Sequence, residues 1–150
     1  MRLYLMRHGY AVTNPVTKDR ELSRAGADSA QQTVDTAIAK HKMMTTAIYH
    51  SGYTRAIQTA AIAGGQLGVN PQAQPSLAPD ADPGPWVIWL QAATDDLMLV
   101  GHCPFLSILR DELLGRQLQQ CEESWPTAML SCLEHNEDGA WGIAWVVSPT

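Results

Sequence analysis

The chain has 150 residues, of which 45% are apolar and only 17% charged, with a formal net charge of −5. That length is ordinary for one domain, and such a chain can bury about 68–70% of its unfolded surface without a metal or disulfide staple. The balance excludes a disordered tail, a coiled coil and a small cysteine-stapled scaffold.

An acidic chain with 10 Lys plus Arg is a poor match for a nucleic-acid partner, because phosphate-backbone affinity needs clustered cations. No apolar run approaches the roughly 20 residues of a membrane span, so no membrane partner is expected. Arg7 and His8 cut the apolar N-terminal stretch short of a signal-peptide core. Cys103, Cys121 and Cys132 are odd in number and lack CxxC spacing. Reduced thiols in a cytoplasmic protein are therefore expected, with no disulfide framework or zinc site. A Cys–His nucleophile at His102-Cys103 is disfavoured, since neighbours on an extended strand point to opposite faces.

Leu3 to Met6 reads as a short buried strand that ends in Arg7-His8-Gly9. Asn14-Pro15 marks a loop, and Ser23 is placed to cap a helix from about Arg24 to Lys40, with Ala30, Val34, Ala37 and Ile38 facing inward. Thr46 to His50 forms a second strand, followed by the Ser51-Gly52 turn and a helix over Thr54 to Leu67. Gly68 suits the left-handed cap of that helix. Five prolines from Pro71 to Pro85 dictate a loop with one short extended piece.

Trp86 to Ala92 follows as a short helix, and Leu97 to Val100 as a buried strand ending at Gly101-His102. Pro104 opens a helix that reaches Gly115. Ala128 to Leu133 and Trp141 to Val147 form a hairpin across Asn136-Glu137-Asp138-Gly139, with Trp141 and Trp145 on one strand face. The expected fold is one α/β domain over residues 1–150 with three α/β/α layers. Its sheet is mixed and mostly parallel, with a C-terminal antiparallel hairpin.

Three of these strands end in polar or cationic groups: Arg7-His8, His50-Ser51 leading to Arg55, and His102. Open parallel sheets bind ligands beyond such ends. Two arginines and two histidines converging there suit a phosphoryl group, because guanidinium forks match its oxygens bidentately. Gly9 allows close backbone approach to a ligand.

Arg7-His8-Gly9, the S-x-x-x-R-A-x-Q-T-A run from Ser51 to Ala60, and Gly101-His102 together resemble the histidine phosphatase superfamily, phosphoglycerate mutase-like in fold. Leu22-Ser23-Arg24-Ala25-Gly26 matches the family's L-[ST]-x-x-G helix entry. The small size, lack of a cap insertion and Gly-His-Cys-Pro segment are similar to the SixA type of phosphohistidine phosphatase. The likeness spans about residues 2–105.

The resemblance implies that His8 is the nucleophile and forms a phosphohistidine intermediate. It implies that Arg7, Arg55 and His102 bind the phosphoryl oxygens, with Gly9 and Asn14 beside them. A neutral imidazole is nucleophilic near pH 7, and fixed cations stabilise the developing charge without reorganisation. No cofactor or metal is implied, and the sequence offers no carboxylate cluster to hold one. The favoured substrate is a phosphorylated protein, such as a His-containing phosphotransfer domain. A small phosphate ester and a non-catalytic phosphate-binding module are the alternatives, and the expected state is a monomer or weak dimer.

Tyr10 replaces the acid that often follows RHG, and Gly52 replaces a common Pro. Asn14 has an equal reading as a turn residue before Pro15. Asp80 and Asp82 are the candidates for a general acid, though neither sits in a motif. An alkoxide leaving group needs that proton, worth about 10²–10⁴-fold in rate, whereas a leaving imidazole is readily protonated near neutral pH. His50 reads as structural, Ser51 as a turn or pocket residue, His41 and His135 as surface residues, and Glu122-Glu123 as a solvated loop. Trp86 and Trp89, spaced i, i+3, read as packing or as a platform for a substrate ring or partner protein.

Overall fold

A computed structural model describes residues 1–115 and 125–149. Its strands are β1 (Arg2–Arg7), β2 (Ala11–Thr13), β3 (Arg20–Leu22), β4 (Ile48–His50), β5 (Gln72–Ala73), β6 (Leu97–Gly101), β7 (Leu130–His135) and β8 (Trp141–Val147). The helices are α1 (Arg24–His41), α2 (Thr54–Leu67), α3 (Gly84–Ala92) and α4 (Phe105–Leu114).

In β1 the four apolar residues Leu3, Tyr4, Leu5 and Met6 are all buried. Strand alternation sends them to opposite faces in pairs. Leu3 and Leu5 pack with Leu90 of α3, Leu106 and Leu109 of α4, and Trp125. Tyr4 and Met6 pack with Ala30, Val34 and Ala37 of α1 and Ala60 and Ala63 of α2. One strand thus feeds two cores, and the result is the expected α/β/α sandwich.

The main sheet has the order β5-β4-β6-β1-β7-β8. Strands β5, β4, β6 and β1 are parallel, and β7 and β8 add the antiparallel hairpin. Helix α1 starts where Ser23 Oγ accepts the Gly26 N–H at 2.9 Å, and it ends at Lys42 with φ 54°. Gly68 and Gly115 close α2 and α4 with φ of 71° and 68°, a conformation that Gly adopts at little cost.

Two expectations need correction and one is completed. Asn14-Pro15 is a loop as expected, and that loop is the tip of a β2–β3 hairpin, where Asn14 Oδ1 accepts the N–H groups of Val16 and Thr17. Trp141 and Trp145 do not share a face, because a bulge opposite Cys132/Leu133 shifts the alternation between them. Trp141 joins the core of Leu3 and Leu5, and Trp145 packs against that of Tyr4 and Met6. Cys103 is disulfide-bonded instead of reduced, since sequence spacing says nothing about which thiols meet in space. Cys132 is free and buried, and burial pushes its thiol up to about 12. Cys121 and the Glu122-Glu123 loop lie outside the described residues. Among the described residues no helix is long and apolar enough to cross a membrane.

Behind β1 the backbone crosses the start of α1 at van der Waals contact. A Cβ on Gly26 would stand 2.1 Å from Tyr10 O, and one on Gly9 would stand 2.6 Å from Gly26 O. Both contacts are with backbone, which cannot swing aside as a side chain can. Gly26→Ala is accordingly expected to destabilise the fold by about 1–3 kcal/mol. Thermal unfolding checks this, at about 2–4 °C of Tm per kcal/mol, and an unchanged Tm would contradict the crossing.

Candidate active site

Parallel register does the first work of assembly. Arg7 of β1 pairs with Gly101 of β6, and His8 N–H donates to Gly101 O at 2.9 Å. The residue after each member of the pair is a histidine. His8 and His102 therefore emerge side by side, buried, with ring centroids 5.1 Å apart. On the far side of β6, His50 pairs with Val100, so the next residue, Ser51, reaches His102 with Oγ 2.6 Å from Nε2. The first turn of α2 supplies Arg55, whose Nε lies 3.4 Å from His8 Nε2. Arg7 Nη1 donates to Trp125 O at 2.7 Å.

Hydrogen bonds settle the tautomer of His8. Gly9 O lies 2.7 Å from Nδ1 and can only accept, so Nδ1 carries the proton. Nε2 is left with its lone pair, and it accepts from Arg55 Nε–H. A bare imidazole nitrogen thus stands beside a guanidinium. His102 Nδ1 is buried without a hydrogen-bond partner among the described residues.

Conversion of these segments into a rigid frame falls to residues that the sequence did not single out for the site. Thr59 Oγ1 accepts the Gly9 N–H at 3.1 Å and donates to Arg55 O at 2.8 Å, joining the β1 loop to α2. Gln58 Oε1 accepts the Leu22 N–H at 2.7 Å. Tyr53 sets its ring edge-on to His102 with centroids 4.8 Å apart, and Arg55 Cζ sits 5.0 Å over that ring. Trp125, whose carbonyl holds Arg7, carries Arg110 over its indole at 5.1 Å. Ala128 N–H, at φ 63°, donates to Arg7 O and His8 O. Only the Ser51 to Ala60 motif signalled any of this.

The remaining sequence candidates are exposed or make other contacts. Gly9 has its N–H on Thr59 and its Cα against Gly26, which is the close approach that its missing side chain permits. Asn14 holds the hairpin tip and donates from Nδ2 to Glu21 Oε1 at 2.7 Å. Asp80 is exposed, and Asp82 Oδ1 accepts the Gly84 N–H at the start of α3. His50 Nδ1 accepts the Gly52 N–H at 3.0 Å and shapes the turn. Trp86 and Trp89 pack edge to face at 5.7 Å and line a cavity of about 310 Å³ with Tyr49, Gln74, Ser76 and Pro85. Among the described residues no three His, Cys, Asp or Glu side chains group to hold a metal ion.

Burial penalises the charged imidazolium and lowers His8 to about 4, with Arg55, Arg7 and Arg20 acting in the same direction. His102 is lowered to about 3, first by burial and then by His8 and the same three arginines. Burial also lowers Arg55, and Arg20 is the largest charge acting on it. The site is therefore a pair of neutral imidazoles in a positive field, built to receive an anion.

Comparison with known proteins bears on the family and the fold. The model of the histidine phosphatase superfamily (branch 1) matches residues 3–87. The solved structure of the protein histidine phosphatase SixA complexed with tungstate superposes with a TM-score of 0.84 at 24% identity, covering 99% of this chain and 97% of that one. A SixA structure from Agrobacterium tumefaciens gives a TM-score of 0.79 at 23% identity, with 99% and 97% covered. A mycobacterial glucosyl-3-phosphoglycerate phosphatase in complex with VO3 gives 0.71 at 19% identity, with 96% and 97% covered. At these identities the likenesses speak for the fold alone. Among curated proteins, none is significantly similar in sequence.

The depressed histidines link protonation to stability. Unfolded histidines titrate near 6.5, so below that pH the unfolded chain takes up protons first, while folded His8 and His102 stay neutral to about 4 and about 3. Stability is therefore expected to be full above pH 6.5 and to fall as pH drops towards 4. Each pK unit is worth about 1.4 kcal/mol. Urea unfolding across this range measures the effect, and His102→Gln should remove part of the dependence. A flat profile between pH 7 and 4.5 would contradict the burial of neutral rings.

Proposed function

We propose that this chain, which belongs to the histidine phosphatase superfamily, is a phosphatase that works through a covalent phosphohistidine on His8. The fixed tautomer of His8 carries the reading: Nε2 holds a lone pair and stands against Arg55. In the first step that lone pair forms the N–P bond as the bond to the leaving group breaks. A phosphohistidine whose ring already carries its proton leaves as neutral imidazole, whereas an ester oxygen would have to take a proton from water. In the second step water attacks phosphorus, His8 leaves as neutral imidazole, and inorganic phosphate is released.

Arg7 and Arg55 supply fixed positive charge for the phosphoryl oxygens through both steps. That charge is the reason to assign no metal to the reaction. His102 offers its unpartnered Nδ1 as a further donor, with Ser51 O–H then donating to Nε2. The favoured substrate is a phosphohistidine on a protein. Support comes from the leaving group: an imidazole is protonated readily near neutral pH, whereas an alkoxide needs a positioned acid, and neither Asp80 nor Asp82 sits in a motif.

Phosphate trapping tests the mechanism. Incubated with phosphohistidine or para-nitrophenyl phosphate, the wild type is expected to form an acid-labile, base-stable phosphoenzyme and to turn over in EDTA. His8→Ala should form none and lose at least about 10³-fold in kcat, and Arg55→Ala should lose about 10²–10³-fold. Retained activity in His8→Ala sinks the mechanism. A steep loss on alkyl esters alone in Asp80→Asn or Asp82→Asn would move the substrate to a small phosphate ester.

A further inference from the structure

Arg20 belongs to none of the motifs above, yet it stands on the hairpin strand that runs beside α2, the helix carrying Arg55. Strand β3 is tied to α2 at both ends. Asp19 Oδ2, just before the strand, accepts from Thr54 Oγ1, and Leu22 N–H donates to Gln58 Oε1. Thr54 and Gln58 are one helical turn apart, with Arg55 between them on the same turn. The strand therefore lies along the segment of α2 that presents Arg55.

Direction follows from strand alternation. Arg20 and Leu22 are two residues apart in β3 and share a face. Leu22 Cδ2 lies 3.2 Å from where a Gly9 Cβ would stand, so that face is turned towards the loop carrying His8. Arg20 is exposed and has no ion-pair partner among the described residues. Asp19 offsets some of its charge, but the Asp19 oxygens are engaged by Thr54 Oγ1 and by the Arg20 N–H. The reach of Arg20 shows in its field, which acts on His8, Arg55 and His102 alike.

We propose that Arg20 is a third arginine of the phosphoryl site, reaching from β3 to bind oxygens of the transferred dianion and raise affinity for it. The proposal rests on the phosphatase reading for the identity of the anion. Two guanidinium groups set beside neutral histidines repel each other, and a dianion between them relieves that repulsion. An arginine on the hairpin also adds charge from a third element, since Arg7 comes from the sheet and Arg55 from a helix.

Equilibrium binding of inorganic phosphate to the full chain tests this without turnover. Calorimetry on wild type, Arg20→Gln, Arg20→Lys and the remote charge control Lys40→Gln is run from about 50 to 300 mM salt, a range over which screening changes strongly. Arg20→Gln is expected to weaken phosphate binding about threefold to tenfold and to flatten its salt dependence. Arg20→Lys should recover most of the affinity, and Lys40→Gln should match wild type. If Arg20→Gln binds phosphate as tightly as wild type with the same salt slope, the proposal is overturned, as it is if wild type binds no phosphate. Failure of the His8 adduct with Arg20-dependent phosphate binding intact would sink the covalent mechanism and leave this binding residue standing.

Discussion

Parallel pairing of β1 with β6 is the constraint on which the rest of the site depends. Arg7 lies opposite Gly101, and the ladder runs one bond further, from His8 N–H to Gly101 O. Each chain then leaves the sheet with a histidine, and the two rings have no choice but to be neighbours. A slip of one residue would turn Leu3 and Leu5 into the core now filled by Tyr4 and Met6. It would also separate His8 from His102. The two-sided burial that holds the register is thus the same force that sets the geometry of the site.

That placement carries an electrostatic cost, and the surroundings accept it for a purpose. Both histidines are buried and held neutral among arginines, an arrangement that disfavours protonation and keeps the local field positive. The backbone bears strain as well. Ala128 adopts φ 63°, which costs a side chain-bearing residue about 1–2 kcal/mol, and its N–H closes the carbonyls of Arg7 and His8. Thr59, Gln58 and Ser51 extend the same logic by converting loop contacts into hydrogen bonds. Donors held in place this way need no rearrangement when charge develops on a ligand.

Local pattern was sufficient wherever a segment's neighbours along the chain define its environment. Runs such as Leu97 to Val100 could only be buried strands, and Ser23, Gly68 and Gly115 capped helices as their chemistry requires. The β2–β3 hairpin escaped because its strands, Ala11–Thr13 and Arg20–Leu22, are short and owe their docking to α2, more than 30 residues away. The positions of Trp141 and Trp145 were misjudged for a related reason: a bulge against β7 has no signature in the β8 sequence. The disulfide at Cys103 likewise depends on spatial proximity, which spacing does not encode.

By itself the sequence determined that Arg7, His8, Arg55 and His102 stand at element ends where a parallel sheet binds ligands, because strand and helix boundaries are local properties. It also determined, through its motifs, the family to which the chain belongs. Only the tertiary structure decided which imidazole nitrogen is bare, since that follows from Gly9 O and Arg55 meeting opposite sides of one ring. It decided that Gly9 is small to pass the Gly26 backbone, and that the strand carrying Arg20 lies along α2. Each of these depends on distance between segments remote in the chain, a quantity that residue order alone does not carry.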